Sequence, residues 1–122
     1  MLFRSVSSHD NEEFVIAYKR IREDYKDCYT GTIDNSVGAK PEMPRFEVDE
    51  DNNVTCSRGL HVCSESYLDK YSGERVIKVK VDPANFVAIP YDYSNSKART
   101  CGYEVIEDVT DKYQHLSGIL KS

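Results

Sequence analysis

Between Glu74 and Asp82, Ile77, Val79 and Val81 recur at every second position, with Lys78 and Lys80 between them. Successive side chains on a β-strand point to opposite faces, so this stretch reads as a strand with one buried face and one face turned to water. Such a strand is not stable alone. It needs neighbouring strands and a cover for its apolar side, which commits the chain to a sheet. Val76 falls on the lysine face, and this predicts a partly covered outer face, or a slight bulge, near the start of the strand.

The other elements are read around this one. Glu13 to Ile21 holds Phe14, Val15, Ile16, Ala17 and Tyr18, a run dense in β-formers that predicts a largely buried strand. Alternation after Gly59 predicts a short strand with His61 and Cys63 on one face and Leu60 and Val62 on the other. Phe86 to Ile89 is a further apolar run closed by Pro90, and a final strand is expected from about Arg99 to Ile106. Ser64 as N-cap, then Tyr67, Leu68 and Tyr71, closed by Gly73, predicts a helix of about two turns. Val109, Tyr113, Leu116 and Leu120 lie near helical spacing, so 109–122 is expected as a helical tail. From Tyr29 to Asn53, Gly31, Gly38, Pro41 and Pro44 break any period, and loops are expected. A chain of 122 residues suits one domain, 1–122, with a flexible start over 1–12. The expected class is α+β: a single strand-rich domain with a mainly antiparallel or mixed sheet and one or two short helices.

The 21 acidic and 16 basic residues give a net charge of -5, which argues against non-specific binding to nucleic acid or anionic membrane. No run approaches the ~20 apolar residues of a membrane span, and Met1 to Asp10 holds no apolar run of signal-peptide length. A cytosolic location with reduced thiols is therefore expected.

Four cysteines, at positions 28, 56, 63 and 101, are the main reservoir of site chemistry, and Cys56 and Cys63 flank His61. Cys56, His61, Cys63 and Cys101, with Cys28 in reserve, have the number and softness for a tetrahedral zinc site. Six residues separate Cys56 from Cys63, unlike the close Cys pairs of familiar zinc modules. The first reading is therefore of thiols packed in the core, with no cofactor and zinc kept as the alternative. Cys63 or Cys56 as nucleophile with His61 as base has no evident orienting partner or oxyanion hole. Among nine tyrosines, Tyr91 and Tyr93 precede Lys97 and Arg99, and together they predict an exposed contact surface for a protein or a nucleotide. The acidic run Glu47, Asp49, Glu50 and Asp51 lacks the spacing of a calcium loop and reads as a solvated turn.

Several motifs occur in a fixed order. They are Ala17-Tyr18-Lys19, Asp34-Asn35-Ser36-Val37-Gly38, Met43-Pro44-Arg45, Cys56 to Cys63, Val79-Lys80-Val81-Asp82-Pro83, Ile89-Pro90-Tyr91-Asp92-Tyr93 and Cys101-Gly102-Tyr103-Glu104-Val105. Over roughly Phe14 to Ile106 the chain thereby resembles the C-terminal region of rIIB-like phage proteins, the family of protectors from prophage-induced early lysis. The resemblance implies a viral protein of the host cytoplasm and a non-enzymatic accessory or interaction module directed against host or prophage defence. It also implies a protein partner, rIIA-like or of the host. The N-terminal region of the longer members has no counterpart here.

The order of elements is also loosely similar to that of ADP-ribosyltransferases, with Arg20 on a first strand, Ser64 ending a middle strand and Glu104 on a late strand. That layout implies the alternative, a small nucleotide-directed enzyme in which the cation meets phosphates and the carboxylate stabilises positive charge on a ribose. The plainer reading has Arg20 and Glu104 as solvated strand residues.

Overall fold

The computed structural model describes residues 4–7, 13–28, 30–49, 59–88 and 97–120. Seven strands form one sheet: β1 (Arg4–Ser7), β2 (Glu13–Ile21), β3 (Leu60–Cys63), β4 (Arg75–Val81), β5 (Phe86–Ala88), β6 (Lys97–Thr100) and β7 (Glu104–Asp108). Their order is β5-β6-β3-β2-β4-β7, and β1 joins the N-terminal half of β2. Every pairing is antiparallel. The α+β expectation is corrected: among the described residues there is no α-helix, only 3-10 turns.

The turns show why. Glu65–Lys70 lies where a helix was expected, with Ser64 at its N-cap position, but it closes through Tyr67 N–H to Ser64 O and Tyr71 N–H to Leu68 O. These i to i+3 bonds define a 3-10 helix. Leu68 O and Tyr71 O, carbonyls that a continuing α-helix would use, accept instead from the Arg20 guanidinium. The expected helical tail is likewise a 3-10 turn, Thr110–Tyr113, followed by Leu116 N–H to Tyr113 O and Ile119 N–H to Leu116 O. Gly118, at φ +82°, belongs to this run of tight turns. Ile119, 4% exposed, and not Leu120 is the residue buried at its end.

The single final strand expected from Arg99 to Ile106 is two strands. β6 pairs with β3 and β5, whereas β7 pairs with β4 at the far side of the sheet. Only Cys101, Gly102 and Tyr103 connect them. From Thr100 to Glu104 an extended chain reaches at most about 14 Å, whereas four strand spacings in a flat sheet need about 19 Å. The sheet must therefore curl, bringing the ends of β6 and β7 towards each other. Residues 38–43 line this crossing: Gly38 N–H bonds Val105 O, Val105 N–H bonds Ala39 O, Tyr103 N–H bonds Pro41 O and Met43 N–H bonds Cys101 O.

The principal core lies inside the curl. Val15, Ala17, Ile21, Leu60, Val62, Ile77, Val79, Val81, Ala98, Tyr103 and Val105 form it, with Tyr25, Ile33, Ala39, Met43 and Phe86 from the loops packed on it. The opposite face carries a smaller cluster of Cys63, Leu68, Val76, Val109 and Ile119. Val76 is thus accounted for, because the two 3-10 turns cover the outer face at the start of β4. A register shift also occurs on β4, between Lys78 and Val79 where it meets β7.

A loop with no regular period holds its shape through Asp27. Its carboxylate accepts from Thr30 N–H at 2.7 Å, Ile33 N–H at 2.9 Å and Thr32 N–H at 3.1 Å, and from the Thr30 hydroxyl. Burial pushes this carboxyl up, but the converging N–H donors outweigh burial and hold it at about 2. Since the folded value lies below the unfolded one, its stabilisation is present above about pH 4 and is lost as pH falls towards 2. Asp27→Asn should therefore be less stable than the parent at pH 7, with the difference narrowing between about pH 4 and pH 2 in urea unfolding series.

Candidate functional site

β2 places consecutive side chains on opposite faces, and its last turn of alternation sets two cations apart. Lys19 is in phase with the core residues Val15, Ala17 and Ile21, and Arg20 is on the other face. Arg20 is only 5% exposed. Its guanidinium donates to Gly73 O at 2.8 and 3.1 Å, Tyr71 O at 2.8 Å, Leu68 O at 3.2 Å and Ser117 O at 2.5 Å. Gly73 makes this approach feasible: it sits at φ +146°, and a Cβ there would lie 2.9 Å from Ile21 O and 3.0 Å from Arg20 Cβ.

β2 and β3 meet at a single pair, Tyr18 with Cys63, and then part. The Lys19 ammonium donates to His61 O at 2.6 Å, next to this pair. Burial lowers the Lys19 pKa, opposed by the nearby Cys63, Asp27 and Cys28. Cys63 is fully buried, and burial pushes its thiol up to about 12 against the pull of Lys19, Arg20 and Lys97. At physiological pH it is a neutral, poorly nucleophilic thiol.

Arg20 and Ser64 are brought to the same region, since Ser64 follows Cys63 and opens the turn whose Leu68 O accepts from Arg20. Ser64 is 4% exposed, with its hydroxyl 3.0 Å from that of Ser66. Glu104 is not part of this group. It pairs with Lys80 at 3.4 Å, on a strand that lies beyond β4 from β2. Arg20 is opposite Val76 and Glu104 is opposite Lys80, four residues along β4 or about 13 Å. A groove of about 600 Å³ between the two 3-10 turns is lined by residues including Glu65, Leu68, Asp69, Tyr113, His115 and Leu116; Arg20, Ser64 and Glu104 do not line it.

The thiols are also dispersed. Cys63 is opposite Lys97 at one end of the β3–β6 ladder, and Cys101 follows Thr100 at the other end, where its thiol is 3.5 Å from Asn85 Oδ1. Cys28 is exposed. Cys56 lies outside the described residues, among which no group of three or more His, Cys, Asp or Glu is placed to hold a metal. His61 shares a face with Cys63, as the alternation predicts.

Tyr91 and Tyr93 lie outside the described residues. Lys97 and Arg99 belong to β6 and are 4% and 0% exposed, so neither cation contributes to an exposed surface as the sequence suggested. Arg99 Nε donates to Asp49 O at 2.7 Å. Its aliphatic part packs at Gly59, where a Cβ would lie 2.9 Å from Val48 Cγ1 and 3.1 Å from Arg99 Cβ at φ +155°. β6 is buried on both faces, which alternation within four residues does not reveal.

Two features escaped the sequence reading. The half-buried Lys19, on the core-facing side of β2, could have been found from its phase with Ala17 and Ile21. Phe46, 88% exposed on the 3-10 turn Arg45–Glu47, carries no periodic signal.

The family model described as Bacteriophage T4 protein rIIB matches residues 6–115. Protein rIIB of Enterobacteria phage T4 is 50% identical over 103 residues, which cover 83% of this chain and 33% of the T4 protein. The chain therefore spans about a third of the length of that relative. No solved structure matches it.

Arg20→Lys should cost about 2–4 kcal/mol, because a compact ammonium cannot serve all four carbonyls. Hydrogen exchange should show the Leu120 amide, bonded to Glu74 O, opening first. In native protein at pH 8, iodoacetamide should label Cys28 about tenfold or more faster than Cys63, and the two rates should converge in denaturant.

Proposed function

Because the chain belongs to the bacteriophage T4 rIIB family, we propose that it is a phage accessory module that acts by binding another protein rather than by catalysis. The observation that supports this most is the internal use of Arg20. A cation meant for the phosphates of a nucleotide has to face a cleft, whereas this guanidinium donates to four backbone carbonyls and joins three segments of the fold. Glu104, engaged with Lys80 beyond β4, is not placed to act with it.

The action proposed is protection of an infecting phage against a host or prophage defence, in the host cytoplasm, through an rIIA-like or host protein. Among the described residues no helix is long and apolar enough to cross a membrane. Tyr91 and Tyr93 are proposed as contact residues, aromatic rings with polar tips being well suited to a protein interface.

Supplied in trans, the chain should raise the yield of a phage lacking its own rIIB-type protein on a prophage-bearing host that excludes it. Glu104→Gln should retain this effect, and the double change Tyr91→Ala with Tyr93→Ala should reduce it while leaving the melting temperature unchanged. Loss of rescue with Glu104→Gln in a folded protein, together with NAD consumption by the parent, would establish the nucleotide-directed alternative instead.

A further inference from the structure

Phe46 leaves 88% of its surface in water, whereas the other exposed large apolar residue among those described, Val37, leaves 56%. Apolar residues exposed singly are ordinary, so what marks Phe46 is its near-complete exposure together with a braced backbone. The backbone beneath it is held from several sides. Glu47 N–H bonds Pro44 O, Val48 N–H bonds Arg45 O, and Met43 N–H bonds Cys101 O. The Arg45 guanidinium donates to Ala84 O at 2.5 Å and Phe86 O at 3.1 Å, fastening the turn to the start of β5. Val48, 5% exposed, closes the other end against Gly59. The ring is therefore presented on a fixed base, which lowers the ordering cost of seating it in a partner.

The ring offers roughly 200 Å², well below the ~800 Å² that each side of a stable dimer contributes. This suits an anchor entering a pocket better than a flat contact between two copies. The T4 relative supplies an occupant, since about two thirds of its length lies outside the stretch shared with this chain. A domain that forms part of a longer protein keeps apolar residues on the face that meets the remainder.

We propose that the Pro44–Val48 turn is a docking anchor, with Phe46 seated in an apolar socket on the part of an rIIB-type protein that this chain does not include. The inference rests on the interaction-module reading and names one of its contacts.

Hydroxyl-radical footprinting with residue-level mass spectrometry tests it. Two proteins are compared: this chain alone, and a chimera in which it replaces the matching third of T4 protein rIIB. Oxidation of Phe46 should fall at least about fivefold in the chimera, as a nearly free ring becomes buried. Oxidation of Val37, beside the β7 crossing, should not change. Because a chimera can fail to fold, the natural T4 protein is probed in parallel over the stretch aligned with residues 44–48, and that stretch should be protected. Full oxidation of this stretch in the T4 protein overturns the inference whatever the chimera does. Protection of Phe46 in the isolated chain, accompanied by a dimer in light scattering, overturns it in favour of a second copy. Rescue of phage yield in trans is scored separately, so its retention beside a freely oxidised Phe46 rejects the socket alone.

Discussion

The Arg20 guanidinium is the interaction on which the rest of this structure depends. It leaves β2, the central strand, and holds the 3-10 turn Glu65–Lys70, the Gly73 corner that leads into β4, and the C-terminal tail at Ser117. Those three segments cover the outer face of the sheet, where an α-helix would ordinarily lie. Short 3-10 turns cannot satisfy all their own carbonyls, and a buried carbonyl without a donor is costly. One planar group with five N–H donors supplies what the missing helical bonds would have supplied. The price is a buried charge, which hydrogen bonds to carbonyl dipoles make tolerable.

On the inner side the curl of the sheet has the same organising role. The short crossing from Thr100 to Glu104 draws β6 and β7 together, and the 38–43 segment bonds along it. Tyr103 then turns inwards, with its hydroxyl donating to Asn35 Oδ1 in the core. Asn35 N–H in turn bonds Tyr25 O, so the irregular 25–48 segment is tied to the crossing by polar bonds as well as by apolar contact. A loop that covers a core must satisfy its own backbone, and the Asp27 turn and the Asn35 pair do so locally.

How far this was legible from sequence depends on the range of the forces involved. The β2 and β4 strands were legible because burial imposes a period of two, and β2 follows its expected bounds, Glu13–Ile21. The placement of the turn after Ser64 was also legible, but its type was not, because Arg20 acts on it from 48 residues away. Arg99 to Ile106 read as one strand since the residues on either side of Cys101–Tyr103 are all compatible with extended structure; only the sheet order shows the change of partner. Lys97 and Arg99 read as exposed cations because charge is the usual mark of a surface. Their burial follows from β6 being covered on both faces, a property of the assembled fold.

Several of the motifs that carry the family resemblance contain residues that specify this architecture. Asn35, Cys63, Val79 and Val81 are fully buried, Tyr103 and Val105 nearly so, and Gly38 and Gly59 adopt positive φ. Buried members of this kind carry the shared fold, and being enclosed they say little about chemistry; others, such as Val37 and Arg45, lie at the surface. Function in such a module has to be sought among residues whose solvent exposure the fold does not require. Phe46 meets that condition: it follows Met43-Pro44-Arg45, a motif whose Arg45 fixes the turn by two bonds to carbonyls, while its own ring adds nothing to the core. The motif builds the platform, and the residue beside it is free to meet a partner.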